Sequence, residues 1–128
     1  MKYLSVDEIQ AINEVVVEES GGSVGVREPG LLISIAHKPQ AGFGDEELYP
    51  DIFTKAAVLY EAIVNYHVFV DGNKRTGYAT AARFLAINKY ELVVTNQELE
   101  DYTISIATKN PDINEVAAWL KQHSRKTG

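Results

Sequence analysis

Ten consecutive residues, His67-Val68-Phe69-Val70-Asp71-Gly72-Asn73-Lys74-Arg75-Thr76, carry most of the side chains here that could do chemistry together. Histidine is the one side chain whose ordinary pKa lies near neutrality, so an imidazole on a rigid element can take and return a proton at physiological pH. Asp71-Gly72-Asn73 has the composition of a tight turn, and Gly72 admits a positive φ and a close approach of a ligand to the backbone. Lys74 and Arg75 then fall in the first turn of a following helix. Cations there oppose the helix dipole, whose N-terminal end is already positive. A sequence that puts two of them there has a use for an anion. Free backbone N–H groups, the dipole and two cations together make a phosphate site. Each part alone is ordinary: a turn, a surface Lys-Arg pair, a structural histidine. Their conjunction in one helix–turn–helix points to a functional site. His37 and His123 stand apart from it and read as structural or exposed.

The elements that must position this stretch are helical. Ser5 with Glu8 three residues on forms a capping box; Ile9, Ile12, Val15 and Val16 then mark one apolar face, and Gly21-Gly22 ends the helix. Pro29 suits a first helical position, with Leu31, Leu32 and Ile35 behind it. Residues 38–50, KPQAGFGDEELYP, read as a long exposed loop, and Phe43 to Leu48 is a candidate flap that aligns a target chain by edge pairing. Residues 51–68 are apolar on nearly every side, the mark of a buried central helix, with His67 at its end. Val68, Phe69 and Val70 are expected to pack the turn against the core.

Residues 74–88 form the next helix, with Gly77, Ala79, Ala81 and Ala82 small enough for close approach and Asn88 as a left-handed cap. Leu92-Val93-Val94 is at best a short strand. Thr95 with Glu98 opens a helix to about Thr108, and Pro111 starts a last one that turns Ile113, Val116, Ala117 and Leu120 inward. The tail SRKTG is expected to fray. The fold class is therefore all-α: a compact helical bundle in one domain, residues 1–128, around a central helix–turn–helix.

Composition narrows the function. The chain has 128 residues and no cysteine, which excludes a disulfide scaffold, a thiolate nucleophile and a zinc site built on Cys. With 18 acidic against 12 basic side chains the net charge is −6, which argues against a nucleic-acid surface. The N-terminus lacks the apolar core of a signal peptide, and no apolar run approaches the roughly 20 residues of a membrane span. The expected setting is the reducing cytoplasm, with no membrane and no direct nucleic-acid contact.

The stretch HVFVDGNKRT resembles the signature of the Fic-fold proteins, HPFx[DE]GNGRxxR. It is closer still to the death-on-curing (Doc) branch, where the pattern runs HxFxDxNKRT. REPGLL at 27–32 and FGDEELYPDIF at 43–53 also resemble that branch. The resemblance implies roles. His67 matches the general base that takes a proton from a target hydroxyl. Asp71 matches the residue that coordinates Mg2+. Gly72 and Asn73 match the anion-binding turn, and Arg75 the arginine that grips nucleotide phosphate. Lys74 stands where adenylylating members carry Gly, and Tyr78 where they carry a second Arg. In the Doc branch these departures accompany kinase activity: ATP offers its γ-phosphate, with Lys74 holding the transferred group and Arg75 stabilising its charge.

The activity so implied is phosphorylation of a Ser or Thr on translation elongation factor Tu, with ATP and Mg2+, by the toxin of a type II toxin–antitoxin pair. Transfer of AMP or UMP, or a non-catalytic phosphate-binding module, are the alternatives. No Ser or Thr begins the self-inhibitory pattern [ST]xxxE[GN], so inhibition is expected in trans from a Phd-like antitoxin whose tail folds into an apolar groove. The N-terminal helix and the 38–50 loop are the candidate walls.

Overall fold

Six helices and two short antiparallel ribbons make up the fold in the computed structural model, which describes residues 1–128. The helices are α1 (Val6–Ser20), α2 (Pro29–His37), α3 (Ile52–Asn65), α4 (Asn73–Ile87), α5 (Asn96–Lys109) and α6 (Ile113–Gln122). The all-α expectation holds for the body of the molecule. The strands β1 (Gly42–Phe43) and β2 (Glu46–Glu47) form one ribbon, and β3 (Tyr90–Leu92) with β4 (Ser124–Lys126) the other. No helix is long and apolar enough to cross a membrane.

The helix ends follow from local chemistry. Ser5 and Thr95 both complete reciprocal capping boxes with Glu8 and Glu98. Gly21 closes α1 in the left-handed region, and Pro29 opens α2. The left-handed residue after α4 is Lys89 rather than Asn88, whose side chain instead bonds the Phe84 and Lys2 carbonyls and ties the N-terminal segment to α4.

Helix α3 is the hub. Ala56 through Tyr60 and Ala62 through Val64 are all buried, so it is covered on every side, as its sequence predicts. Helix α4 lies against it at Gly77, where a Cβ would stand only 2.6 Å from Val64 Cγ2. Helix α6 covers another face through Val116, Ala117 and Leu120, and one cluster of 22 buried side chains runs through all of these helices.

Four further expectations are corrected. Val15 is exposed, and the buried face of α1 is Ile9, Asn13, Val16 and Val17. Residues 38–50 are not an open loop: Lys38–Gln40 form a 3-10 turn and 42–47 a hairpin. Val70 is half exposed, while Val68 and Phe69 are fully buried. The C-terminal tail does not fray, because Ser124, Arg125 and Lys126 pair with Leu92, Glu91 and Tyr90.

Candidate active site

The turn between α3 and α4 is built by a chain reversal at His67. Helix α3 stops at Asn65, and His67 adopts φ 50, so the imidazole lies past the helix end and is exposed rather than seated on it. The apolar pattern of α3 continues through Val68, which hides this break from the sequence. A histidine tolerates the left-handed region better than most residues, and such conformations concentrate at functional sites. The reversal drives Val68 and Phe69 back into the core. Their backbone is then pinned from one side by the 25–28 segment: Arg27 N–H donates to the Val68 carbonyl at 2.8 Å, and Val70 N–H to the Gly25 carbonyl at 3.0 Å.

Asn73 closes the turn. Its Oδ1 accepts from Phe69 N–H at 3.0 Å and its Nδ2 donates to the Phe69 carbonyl at 2.9 Å. With its amide so engaged, Asn73 offers an anion only its backbone N–H. Gly72 begins α4 with φ 74, and a side chain there would press on Val16 and Val17 at 3.2 and 3.1 Å. No side chain caps α4. Helix geometry leaves the N–H groups of Asn73, Lys74 and Arg75 without intrahelical acceptors, and the first bond back is Thr76 N–H to the Gly72 carbonyl.

His67, Asp71, Gly72, Asn73, Lys74 and Arg75 line one cavity of about 280 Å³, with Val64 and Val70 completing it. All six residues singled out in the sequence therefore meet at one place. The other two histidines are engaged elsewhere: Nδ1 of His37 faces the Ile33 carbonyl at 2.9 Å, and Nδ1 of His123 the Trp119 carbonyl at 2.7 Å. Lys74 is exposed. Arg75 pairs with Glu19 at 3.3 Å and donates from Nε to the Tyr78 hydroxyl at 3.4 Å. The Tyr78 hydrogen bond, with the Glu19 carboxylate nearby, raises its guanidinium above an already high ordinary pKa, so it stays charged. An uncapped helix N-terminus with two cations can hold a phosphate beside an imidazole that can move a proton.

Asp71 is exposed, and its Oδ2 accepts from Ser23 N–H at 2.8 Å. No cluster of three His, Cys, Asp or Glu side chains surrounds it. One carboxylate with a free oxygen does not make an all-protein metal cage. It does fit Mg2+, which commonly takes one or two carboxylates and completes its shell with substrate phosphates and water.

Sequence reasoning passed over two supports. Asn13, 1% exposed, donates from Nδ2 to the Asp71 carbonyl at 2.9 Å and to Thr76 Oγ1 at 3.0 Å, tying α1 to the turn. An amide on the buried stripe of α1 was the available signal. Lys55, in the most buried helix, is the other. The groove beside the site also differs from expectation. An apolar groove of about 510 Å³ runs between α1 and α4, lined by Leu4, Ile12, Val15, Val16, Tyr78 and Ala79. The 38–50 segment does not wall it. Of that segment, Gln40 lines a separate cavity with Tyr3–Glu8, Ala36 and His37.

Comparison with known proteins agrees with this geometry. Residues 3–85 match the family described as Fic/DOC. The chain is 38% identical over 102 residues to the Toxin Doc of Mycolicibacterium smegmatis, covering 78% of each chain. It is 32% identical over 122 residues to the Protein kinase doc of Escherichia phage P1, covering 95% of each. The family match spans α1 to α3, most of α4 and every residue that lines the cavity. On the motif, the fold that presents it and these similarities, the chain belongs to the Fic/DOC family.

Proposed function

We propose that this protein is a toxin that acts as a protein kinase, moving the γ-phosphoryl group of ATP to a Ser or Thr hydroxyl, with elongation factor Tu as the target. The observation that carries the reading is the shared cavity, in which His67 lies with two cations at an uncapped helix N-terminus. His67 takes the proton of the acceptor hydroxyl. The acceptor oxygen forms a bond to the γ-phosphorus as the bond to the bridging β–γ oxygen breaks, and ADP leaves. Lys74, Arg75 and the backbone N–H groups of residues 73–75 hold the charge on the phosphoryl oxygens, so most of the rate comes from positioning and electrostatics. Asp71 would hold Mg2+, which when bound would supply neutralisation of the nucleotide's charge. The relative named as a protein kinase, similar along nearly its whole length, supports phosphoryl transfer over nucleotidyl transfer.

The partner that restrains such a toxin is a Phd-like antitoxin, and the α1–α4 groove is where its apolar helix fits. Arg75 lines both groove and cavity, so a chain seated in the groove meets the guanidinium that phosphate needs.

The test is incubation with elongation factor Tu, Mg2+ and ATP labelled at either the α- or the γ-phosphate. Label is expected to pass only from the γ-position, and His67→Ala is expected to lower the rate by about 10²–10⁴-fold. Transfer from the α-position overturns the kinase reading; an active His67→Ala protein removes its base.

A further inference from the structure

Of the two glycines that follow α1, only one is there for its backbone. Gly21, at φ 76, is the left-handed residue that closes the helix. Gly22 lies outside that region, so an alanine there meets no backbone strain. What it meets is Asp71. A Cβ on Gly22 would stand 3.1 Å from Asp71 Oδ2, 3.3 Å from its Cβ and 3.4 Å from its Cγ.

The backbone on both sides of this contact is held. The Asp71 carbonyl accepts from Asn13 Nδ2 at 2.9 Å, and Gly72 sits against Val16 and Val17. Gly22 N–H donates to the Val17 carbonyl at 3.2 Å. Crowding at residue 22 is therefore relieved by the one part that is exposed and free to rotate, the Asp71 side chain. A single hydrogen bond fixes that side chain: Oδ2 accepts from Ser23 N–H at 2.8 Å, and Oδ1 is left free.

Asp71 lines the cavity with His67, Lys74 and Arg75, whereas Gly22 and Ser23 do not. A carboxylate that ligates a metal is commonly oriented by a hydrogen bond, and loss of such a bond costs about 10–100-fold in metal affinity. We infer that Gly22 and Ser23 are positioning residues for the metal ligand. The bare Cα of Gly22 leaves room for the Asp71 carboxylate, and the Ser23 N–H fixes its direction, so that Oδ1 is presented to Mg2+. This role rests on the proposed reaction, in which Asp71 holds Mg2+. It concerns the metal alone, because neither residue reaches the groups that hold the nucleotide's phosphates.

Gly22→Ala tests this in the full-length protein, well below its unfolding transition. Calorimetry gives the Kd for ATP in excess EDTA and the Kd for Mg2+-ATP, and their ratio measures what the metal adds. The ratio is expected to fall about tenfold in Gly22→Ala, with the affinity for ATP alone within about twofold of wild type. Ser23→Ala removes the hydroxyl and keeps the N–H, so its ratio is expected to stay within about twofold of wild type. Amide exchange at Ser23, taken without metal or nucleotide, reads the hydrogen bond itself. It is expected to quicken about tenfold in Asp71→Ala, where the acceptor is gone, and in Gly22→Ala, where it is displaced.

Unchanged exchange at Ser23 in both variants overturns the anchor, whether or not metal binds. Faster exchange in Gly22→Ala with an unchanged ratio overturns the positioning role, as does an equal loss of affinity for ATP and Mg2+-ATP. A ratio that falls in Ser23→Ala overturns the backbone N–H as the orienting group. A wild-type protein that gains nothing from Mg2+ while Ser23 stays protected removes the metal from Asp71, and the proposed reaction loses its metal ligand along with the role given to these two residues.

Discussion

Asn73 commits both halves of its amide to Phe69, and Asn13 gives both Nδ2 hydrogens to the Asp71 carbonyl and Thr76. These two amides hold a turn that has no regular secondary structure of its own. The sequence shows Asn73 as part of a polar turn, but a residue type does not reveal which of its bonds are already used. Asn13 is less legible, because its partner lies 58 residues away and one polar residue on an apolar stripe carries no address. Replacing it with Ala leaves a part-buried carbonyl and a buried hydroxyl without their donor, which costs about 1–3 kcal/mol. Asn13→Ala is therefore expected to lower the urea midpoint and to weaken binding of Mg2+-ATP, read by calorimetry below the unfolding transition. A variant that loses stability but binds nucleotide as wild type shows that α1 supports the fold and not the turn.

Helices are legible where packing writes a period into the chain, and the ribbons are legible only in the short strand expected near Leu92. The capping boxes of α1 and α5 and the all-round burial of α3 follow from residue spacing. Strands of two or three residues leave little alternation to read: the β1–β2 hairpin reads as a loop with a candidate flap, β3 reads as a short strand at 92–94 rather than 90–92, and β4 reads as a frayed tail. The end of α3 was misplaced for the opposite reason: the buried Val68 and Phe69 prolong the apolar run past the reversal at His67. The close approach at Gly77 was legible from its small neighbours, and it sets the relation of the two helices that carry the site. Helix propensity alone favours Ala over Gly, by about 0.5–1 kcal/mol. At this position the added methyl meets Val64 Cγ2 at 2.6 Å and the Tyr60 carbonyl at 3.3 Å, and overpacking of this kind costs about 1–3 kcal/mol. Gly77→Ala is accordingly expected to destabilise the protein by about 1 kcal/mol or more in chemical denaturation, against the propensity trend. A more stable variant refutes close packing of α3 on α4 as the constraint at residue 77.

The molecule as a whole divides its labour along the chain. Residues 3–85, the span of the family match, supply every group that lines the cavity. Helix α6 contributes no residue to that lining, yet Leu120 is fully buried within the core cluster that includes Ile63 and Val64 of α3. The segment beyond residue 85 thus acts as a buttress: its helix α6 covers the hub helix that leads into the turn. Such a division gives separable effects of mutation. Leu120→Ala removes a fully buried side chain and leaves a cavity, at a cost of about 3 kcal/mol. For a chain of 128 residues that corresponds to a fall in Tm on the order of 10 °C. Well below the lowered Tm, the variant is expected to bind Mg2+-ATP within about twofold of wild type, because packing on the far side of α3 reaches the cavity only through the fold's stability. Thermal unfolding and calorimetry on the same preparation decide the matter. A large loss of nucleotide affinity in protein that is still folded would mean that α6 shapes the cavity through α3, and the buttress would have to be counted as part of the site.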